Sequence, residues 1–427
     1  VADLDDLIAF LSASPSPYHA VAETARRLNA TGFSRVDPTE PWPDGAGGWF
    51  VAQGGALVAW RVPEGGGPAD PFRIVGAHTD SPNLRVKPRP DTGCHEWNQL
   101  AVEVYGGALW NSWLDRDLGL SGRVAVRGAA EPLLLRVERP VARVPQLAIH
   151  LDRGVNEHGL ELNPQQDLTP VWGTGAPEEG EFRAFVADEL SNSGASVVAD
   201  DVVSYDLMFH DLTRPARLGR NEELLASARL DDQLSCWAAV DALLGTEATA
   251  SVPVVCLYDH EEVGSTSATG ANGMMLADVL ERIVLARGGD RGDLIRARSG
   301  SICASADGAH ATHPNRPERH EPGHQIAIDG GPVIKVNANQ RYATEAATAA
   351  AMVDACDRAG VPHQWFVSRN DQPCGSTIGP LTAARLGLAT VDVGVAQLSM
   401  HSARELCGVD DPLRFASALA AFFTLTR

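Results

Sequence analysis

Basic residues are scarce in this 427-residue chain: 35 Lys and Arg stand against 55 Asp and Glu, for a formal net charge of −20. A general binder of nucleic acid or of an anionic membrane needs a basic face, so the deficit argues against both. Long apolar runs are missing as well. No window approaches the roughly 18 uninterrupted apolar residues that a membrane-spanning helix requires. Cysteine is sparse and dispersed, at Cys94, Cys236, Cys256, Cys303, Cys356, Cys374 and Cys407, with no C-x-x-C pair. An odd, scattered set fits reduced thiols in a cytoplasmic protein better than a disulfide framework. The stretch VADLDDLIAFLSASPSPYHA lacks a basic segment followed by an apolar one, so no signal peptide is expected. There is no internal repeat and no low-complexity tract.

What is present is enough apolar residue, 44% of the chain, to bury more than one core. Leu4, Leu7, Ile8 and Leu11, then Val21, Ala25 and Leu28, predict two helices broken at Ser14-Pro15-Ser16-Pro17. The glycine-rich turn Gly65-Gly66-Gly67-Pro68 reads as a hairpin loop. From about 89 to 222, short β-type runs (LAVEVYGG, GRVAVRG, PLLLRVER) alternate with turn residues and long helical periodicity is scarce. Beyond 222 the pattern becomes strand, polar loop, helix: VPVVCLY, SICASA, GPVIKV, the helix TEAATAAAMVDACDRAG, then LATVDVGV. FRIVGAH, before 89, is a strand of the same kind. This texture predicts one α/β domain, a mixed sheet flanked by helices, made of residues 1–88 plus 223–427, with a β-rich domain inserted at 89–222.

Several of those apolar strands end in charge. FRIVGA runs into His78-Thr79-Asp80, VPVVCLY into Asp259-His260-Glu261-Glu262, SICASA into Asp307, and LATVDVGVAQLSM into His401. Asp231 opens the helix DQLSCWAAVDALLG. Sites in α/β sheets form beyond the carboxyl ends of strands, so these clusters could converge despite their separation in sequence. Two His and several carboxylates, with no Cys among them, suit borderline divalent ions such as Zn²⁺, Mn²⁺ or Co²⁺. His78, Asp231, Glu262, Asp307 and His401 would supply ligands for two ions. A metal ligand cannot also shuttle a proton, so the tandem Glu261-Glu262 permits one carboxylate to bind metal and its neighbour to activate water. Asp80 fits the carboxylate that orients a ligating imidazole. His310 and His313 are spaced as a helical pair, but Pro314-Asn315 makes that segment a loop.

The blocks GAHTDSPNLRVKP, RLDDQLSCW, YDHEEVGS, SADGAHATHPN, KVNANQRYAT, CGSTIGP and QLSMHSARE together resemble the aspartyl aminopeptidase family of metallopeptidases, in order along nearly the whole chain. The resemblance implies a di-zinc exopeptidase-like fold and release of N-terminal Asp or Glu from peptides. It implies one metal on His78, Asp231 and Asp307 and another on Asp231, Glu262 and His401, with Asp231 bridging and Glu261 as general base. It implies that His150, in IHLDR, reaches a neighbouring subunit's active site, and that Lys335 meets the substrate's acidic side chain beside Tyr342. Finally, it implies a large homo-oligomer, typically a dodecamer, assembled through the insert. Asp232, often asparagine in relatives, is a mild departure that leaves the ligands intact.

Overall fold

The computed structural model describes residues 3–247 and 250–426. The chain divides into two compact units: residues 1–80, 215–400 and 405–427 form one, and 81–214 with 401–404 form the other. Both divisions fall eight residues before the positions marked by the change in sequence texture, because the strand Asn83–Cys94 already pairs within the second unit and Ala216–Leu218 already pairs within the first.

The first unit is the expected mixed α/β arrangement. Its nine-stranded sheet runs Ser34–Arg35, Gly47–Gln53, Ala56–Val62, Val252–Tyr258, Phe72–His78, Ile302–Ala306, Ala389–Gly394, Val333–Val336, Gln364–Val367. Alternation along the central strands assigns side chains to two separate cores. Val75, Ala77, Val255 and Leu257 pack on one face with the helices Leu230–Gly245, Ala346–Ala359 and Asp411–Phe423. Ile74, Val254 and Cys256 pack on the other with Met275–Ala286, Arg291–Ser299 and Ile378–Leu386. Burial on both faces explains why these strands read as continuous apolar runs. Arg73 interrupts one of them and is itself buried. Its guanidinium donates to the carbonyls of Leu425, Phe72 and Gly300, which ties the strand to the C-terminal end.

The two N-terminal helices form as expected, Leu4–Ala13 and Pro17–Ala30. Ser16 caps the second, with Pro17 at its first position, where the missing N–H costs nothing. The glycine-rich turn at 65–68 is not a hairpin. The strands on either side of it, Ala56–Val62 and Phe72–His78, do not pair; Val252–Tyr258 lies between them, antiparallel to the first and parallel to the second. A five-stranded sheet completes this unit.

The second unit is a six-stranded sheet, with neighbours in the order Leu133–Ala142, Leu118–Val126, Val202–Asp211, Asn83–Cys94, Trp97–Tyr105, Val171–Thr174. Its pairings are antiparallel throughout. It also holds a helix the sequence texture did not suggest, Glu181–Asn192, which buries Phe182, Val186, Ala187 and Leu190. No described helix is long and apolar enough to cross a membrane.

Candidate metal centre

Three parallel neighbours place the charged clusters along one edge of the large sheet. Val252–Tyr258 pairs with Phe72–His78 so that Tyr258 stands opposite His78, and Phe72–His78 pairs with Ile302–Ala306 on its other side. Their carboxyl ends deliver His78, Asp259 to Glu262, and Asp307 together. Gly394 permits this crowding, since a Cβ there would lie 1.7 Å from the Asp307 carbonyl oxygen.

His78, Asp231, Asp232 and Asp307 are all buried, and one ligand atom from each lies within 4.8 Å of the others. His78, Glu261 and Glu262 form a second such group. His78 Nε2 is 3.3 Å from Asp231 Oδ1, and its Nδ1 is 3.0 Å from the Asp80 carbonyl and 3.4 Å from Asp80 Oδ1. Asp80 therefore sits where a ligating imidazole needs its orienting group. It also does something the sequence did not suggest. Its two carboxylate oxygens accept the backbone N–H groups of Glu261 and Glu262, at 3.1 and 3.2 Å, so one side chain fixes both members of the tandem. Asp231 and Asp232 lie at the start of the helix Leu230–Gly245 but take non-helical backbone angles, with a cis peptide bond between them.

Six carboxylates (Asp80, Asp231, Asp232, Asp307, Glu261 and Glu262) gather around one imidazole. Lys335 places an amine beside them, its Nζ 4.0 Å from Asp307 Oδ2. Two like charges about 4.8 Å apart repel by roughly 3–4 kcal/mol at an effective dielectric near 20, so such a set is not stable fully ionised without further positive charge. The proton affinities record the same stress. Burial pushes Glu261 up to about 7, with Asp307, Asp231 and Asp80 adding to it and His78 opposing. Burial likewise raises Asp232 and Asp307, partly offset by His78 and Lys335 respectively. Burial would lower His78, but Asp232, Asp231 and Asp80 override it and raise that imidazole well above its ordinary value. A hard-to-borderline divalent ion suits a His-plus-carboxylate donor set of this charge. The residues present fit a metal.

Lys335 stands beside this cluster, and Tyr342 stands beside Lys335. Lys335 is buried, donating to the carbonyls of Asp307 at 3.4 Å and Gly308 at 3.1 Å, with its Nζ 5.1 Å from the centre of the buried Tyr342 ring. His150 is exposed on a turn of the second unit. His401 belongs to the same unit, with Nδ1 3.1 Å from the Gly107 carbonyl. His310 lies in a two-residue strand and stays out of the cluster.

Two contributors went unassigned in the sequence. Asp232 joins the cluster and accepts the His78 backbone N–H at 3.1 Å; its mark was simply adjacency to Asp231. Buried Glu405 accepts the Asp231 backbone N–H at 2.9 Å, and its position four residues beyond His401 gave no separate signal.

Comparison with known proteins matches residues 10–423 to the family model described as aminopeptidase I zinc metalloprotease (M18). The chain is 55% identical over 423 residues to the probable M18 family aminopeptidase 2 of Streptomyces coelicolor, covering 98% of this chain and 96% of that protein. Among solved structures, one reported as a complex of Ape4 and Nbr1 superposes with a TM-score of 0.94 at 35% identity, covering 98% of this chain and 85% of that one. An S. cerevisiae mApe1 dodecamer superposes with a TM-score of 0.83 at 28% identity, covering 98% and 96%.

Proposed function

The chain belongs to the M18 family of zinc metallo-aminopeptidases, and we propose that it removes acidic residues, Asp or Glu, from peptide N-termini with two divalent ions per chain. The observation that carries the reading is the buried His78, Asp231, Asp232 and Asp307 cluster at the strand ends, with Glu261 and Glu262 beside it. His78, Asp231 and Asp307 would hold one ion. Asp231, Glu262 and His401 would hold the other. Zinc is the first choice, with Mn²⁺ or Co²⁺ as alternatives. Ions bound there would supply Lewis acidity toward a peptide carbonyl and make water easier to deprotonate.

The chain's own residues divide the rest of the work. Glu261 takes a proton from the water that adds to the scissile carbonyl. It then returns that proton to the amine that leaves. A carboxylate placed beside the ligands, but not itself a ligand, is free to do both. Asp80 keeps Glu261 and Glu262 in fixed relation through their backbone amides and orients His78. Lys335 would attract the acidic side chain of the first residue. An ammonium has three protons, and two here are directed at the carbonyls of Asp307 and Gly308. Tyr342 would line that place. His150 would act across a subunit boundary in a closed homo-oligomer, a dodecamer by analogy with the yeast relative. The seven free cysteines suit a cytoplasmic setting.

Elemental analysis combined with paired substrates tests the proposal. Metal should be found at two ions per chain, and an Asp-anilide should be cleaved in preference to a Leu-anilide. Preference for the Leu-anilide would leave the aminopeptidase and remove the acidic specificity.

A further inference from the structure

Asp392 is a carboxylate in the middle of an apolar strand, Ala389–Gly394, and is wholly buried. Across the antiparallel pairing with Val333–Val336 it stands directly opposite Lys335. Residues directly opposite in such a pair carry their side chains on the same face. The carboxylate is engaged from two other directions. One oxygen accepts the backbone N–H of Ala343 at 2.6 Å, and the other accepts the Thr377 hydroxyl at 2.5 Å. The Asp392 backbone N–H donates in turn to the Thr344 hydroxyl at 2.8 Å. Gly379 makes room for the group, since a Cβ there would come within 2.4 Å of Asp392 Oδ2.

These contacts tie two separate segments to the strand that pairs with Lys335's. Ala343 and Thr344 follow Tyr342 directly. Thr377 caps the helix Ile378–Leu386 at the end of the segment that carries Cys374, whose carbonyl accepts from Arg341. Lys335 belongs to the neighbouring strand. A buried carboxylate is costly unless it is partnered, and Asp392 has a hydrogen-bond donor on each oxygen and stands opposite Lys335 in the strand register. An asparagine of the same shape would present an N–H₂ to one of two donors and break a tether.

We propose that Asp392 is a positioning residue for first-residue specificity: it holds the Tyr342 turn and the Thr377 segment in place around Lys335. The proposal rests on the reading of Lys335 as the group that meets an acidic first residue. Asp392 does not touch substrate. It acts through Lys335 and Tyr342, so its loss should appear as a change in discrimination more than as a loss of turnover.

The test compares wild type, Asp392→Asn, Thr377→Val and Lys335→Met as full-length, metal-loaded protein. The quantity read is kcat/KM for an Asp-anilide divided by kcat/KM for a Leu-anilide, with kcat and KM resolved separately. Asp392→Asn should lower that ratio about tenfold, chiefly through KM of the acidic substrate, because small displacements of a positioned group are costly. Thr377→Val keeps the carboxylate and removes one tether, and should lower the ratio about threefold; it decides the matter if Asp392→Asn does not fold. An unchanged ratio in both, with Lys335→Met lowering it, overturns the proposal and leaves the reading of Lys335 intact. A raised ratio in Asp392→Asn also overturns it, because Asp392 would then only screen the ammonium. An unchanged ratio in Lys335→Met removes the reading on which the proposal stands.

Discussion

Replacing Lys335 by Met removes a charge and three donors while keeping a long unbranched side chain in a buried place. Two consequences can be separated. The carbonyls of Asp307 and Gly308 lose their partner. Each buried acceptor left unsatisfied costs about 1–3 kcal/mol, so the fold should lose roughly 2–6 kcal/mol. The second consequence concerns substrate. A charge-assisted hydrogen bond to an acidic side chain contributes about 1.5–3 kcal/mol, which converts to roughly 10- to 150-fold in kcat/KM for an Asp- or Glu-initiated peptide. A neutral first residue never uses that bond and should lose much less. The assay is therefore a ratio of kcat/KM values on acidic and neutral anilides, with metal content and denaturant midpoint measured on the same preparations. Loss of metal or of folded fraction lowers both substrates together and cancels in the ratio. Equal losses on the two substrates would show that Lys335 serves only the Asp307 segment, and that acidic specificity, if present, is read elsewhere.

Glu261→Gln should retain metal and lower kcat by about two to four orders of magnitude; loss of metal in this variant, but not in Glu262→Gln, would mean the two glutamates have exchanged roles. Asp231→Ala should lower metal content itself, and wild type treated with a chelator should lose activity and regain it when a divalent ion is restored; full activity in metal-free protein would refute the mechanism. Burial pushes the Asp411 carboxyl up to about 6, against backbone donors from Gly331 and Asp329. The folded state thus holds this proton more tightly than the unfolded chain, so the stability it contributes is full below about pH 4 and is lost as pH rises through 6, by about 3 kcal/mol. The advantage of wild type over Asp411→Asn in urea unfolding should shrink by that amount between pH 4 and 7; a pH-independent difference would refute the assignment. Mixing His150→Phe chains with Glu261→Gln chains should recover some activity in hybrid oligomers; no recovery, with subunit exchange confirmed, would mean His150 does not act across a boundary.

The parts of the site that could be read from sequence share one property: a charged cluster follows an apolar strand without a gap. His78, the Glu261-Glu262 tandem and Asp307 all have it, and parallel neighbours bring such ends together. Asp392 lacks it. Its strand, LATVDVGV, continues apolar on both sides, so a lone acid reads as an edge charge, although a carboxylate inside a strand buried on both faces needs partners. Glu405 and Asp232 act through the backbone amides of other residues, and sequence carries no mark of a backbone acceptor. The turn at 65–68 looked like a hairpin because local sequence cannot announce a strand arriving from residues 252–258. The Glu181–Asn192 helix was different. Phe182, Val186 and Leu190 recur at intervals of four, a period that was legible but was outweighed by the β-type runs around it.

The spacing of the cluster along the chain bears on when it comes into being. A ribosome has delivered His78 and Asp80 long before Asp231, and Asp307 later still, with residues 81–214 of the second unit made in the interval. A chain ending before Asp307 lacks one member of the four-residue group His78, Asp231, Asp232 and Asp307. That group therefore forms only when the two separated stretches of the first unit, the one carrying His78 and the one carrying Asp231, Asp232 and Asp307, have come together.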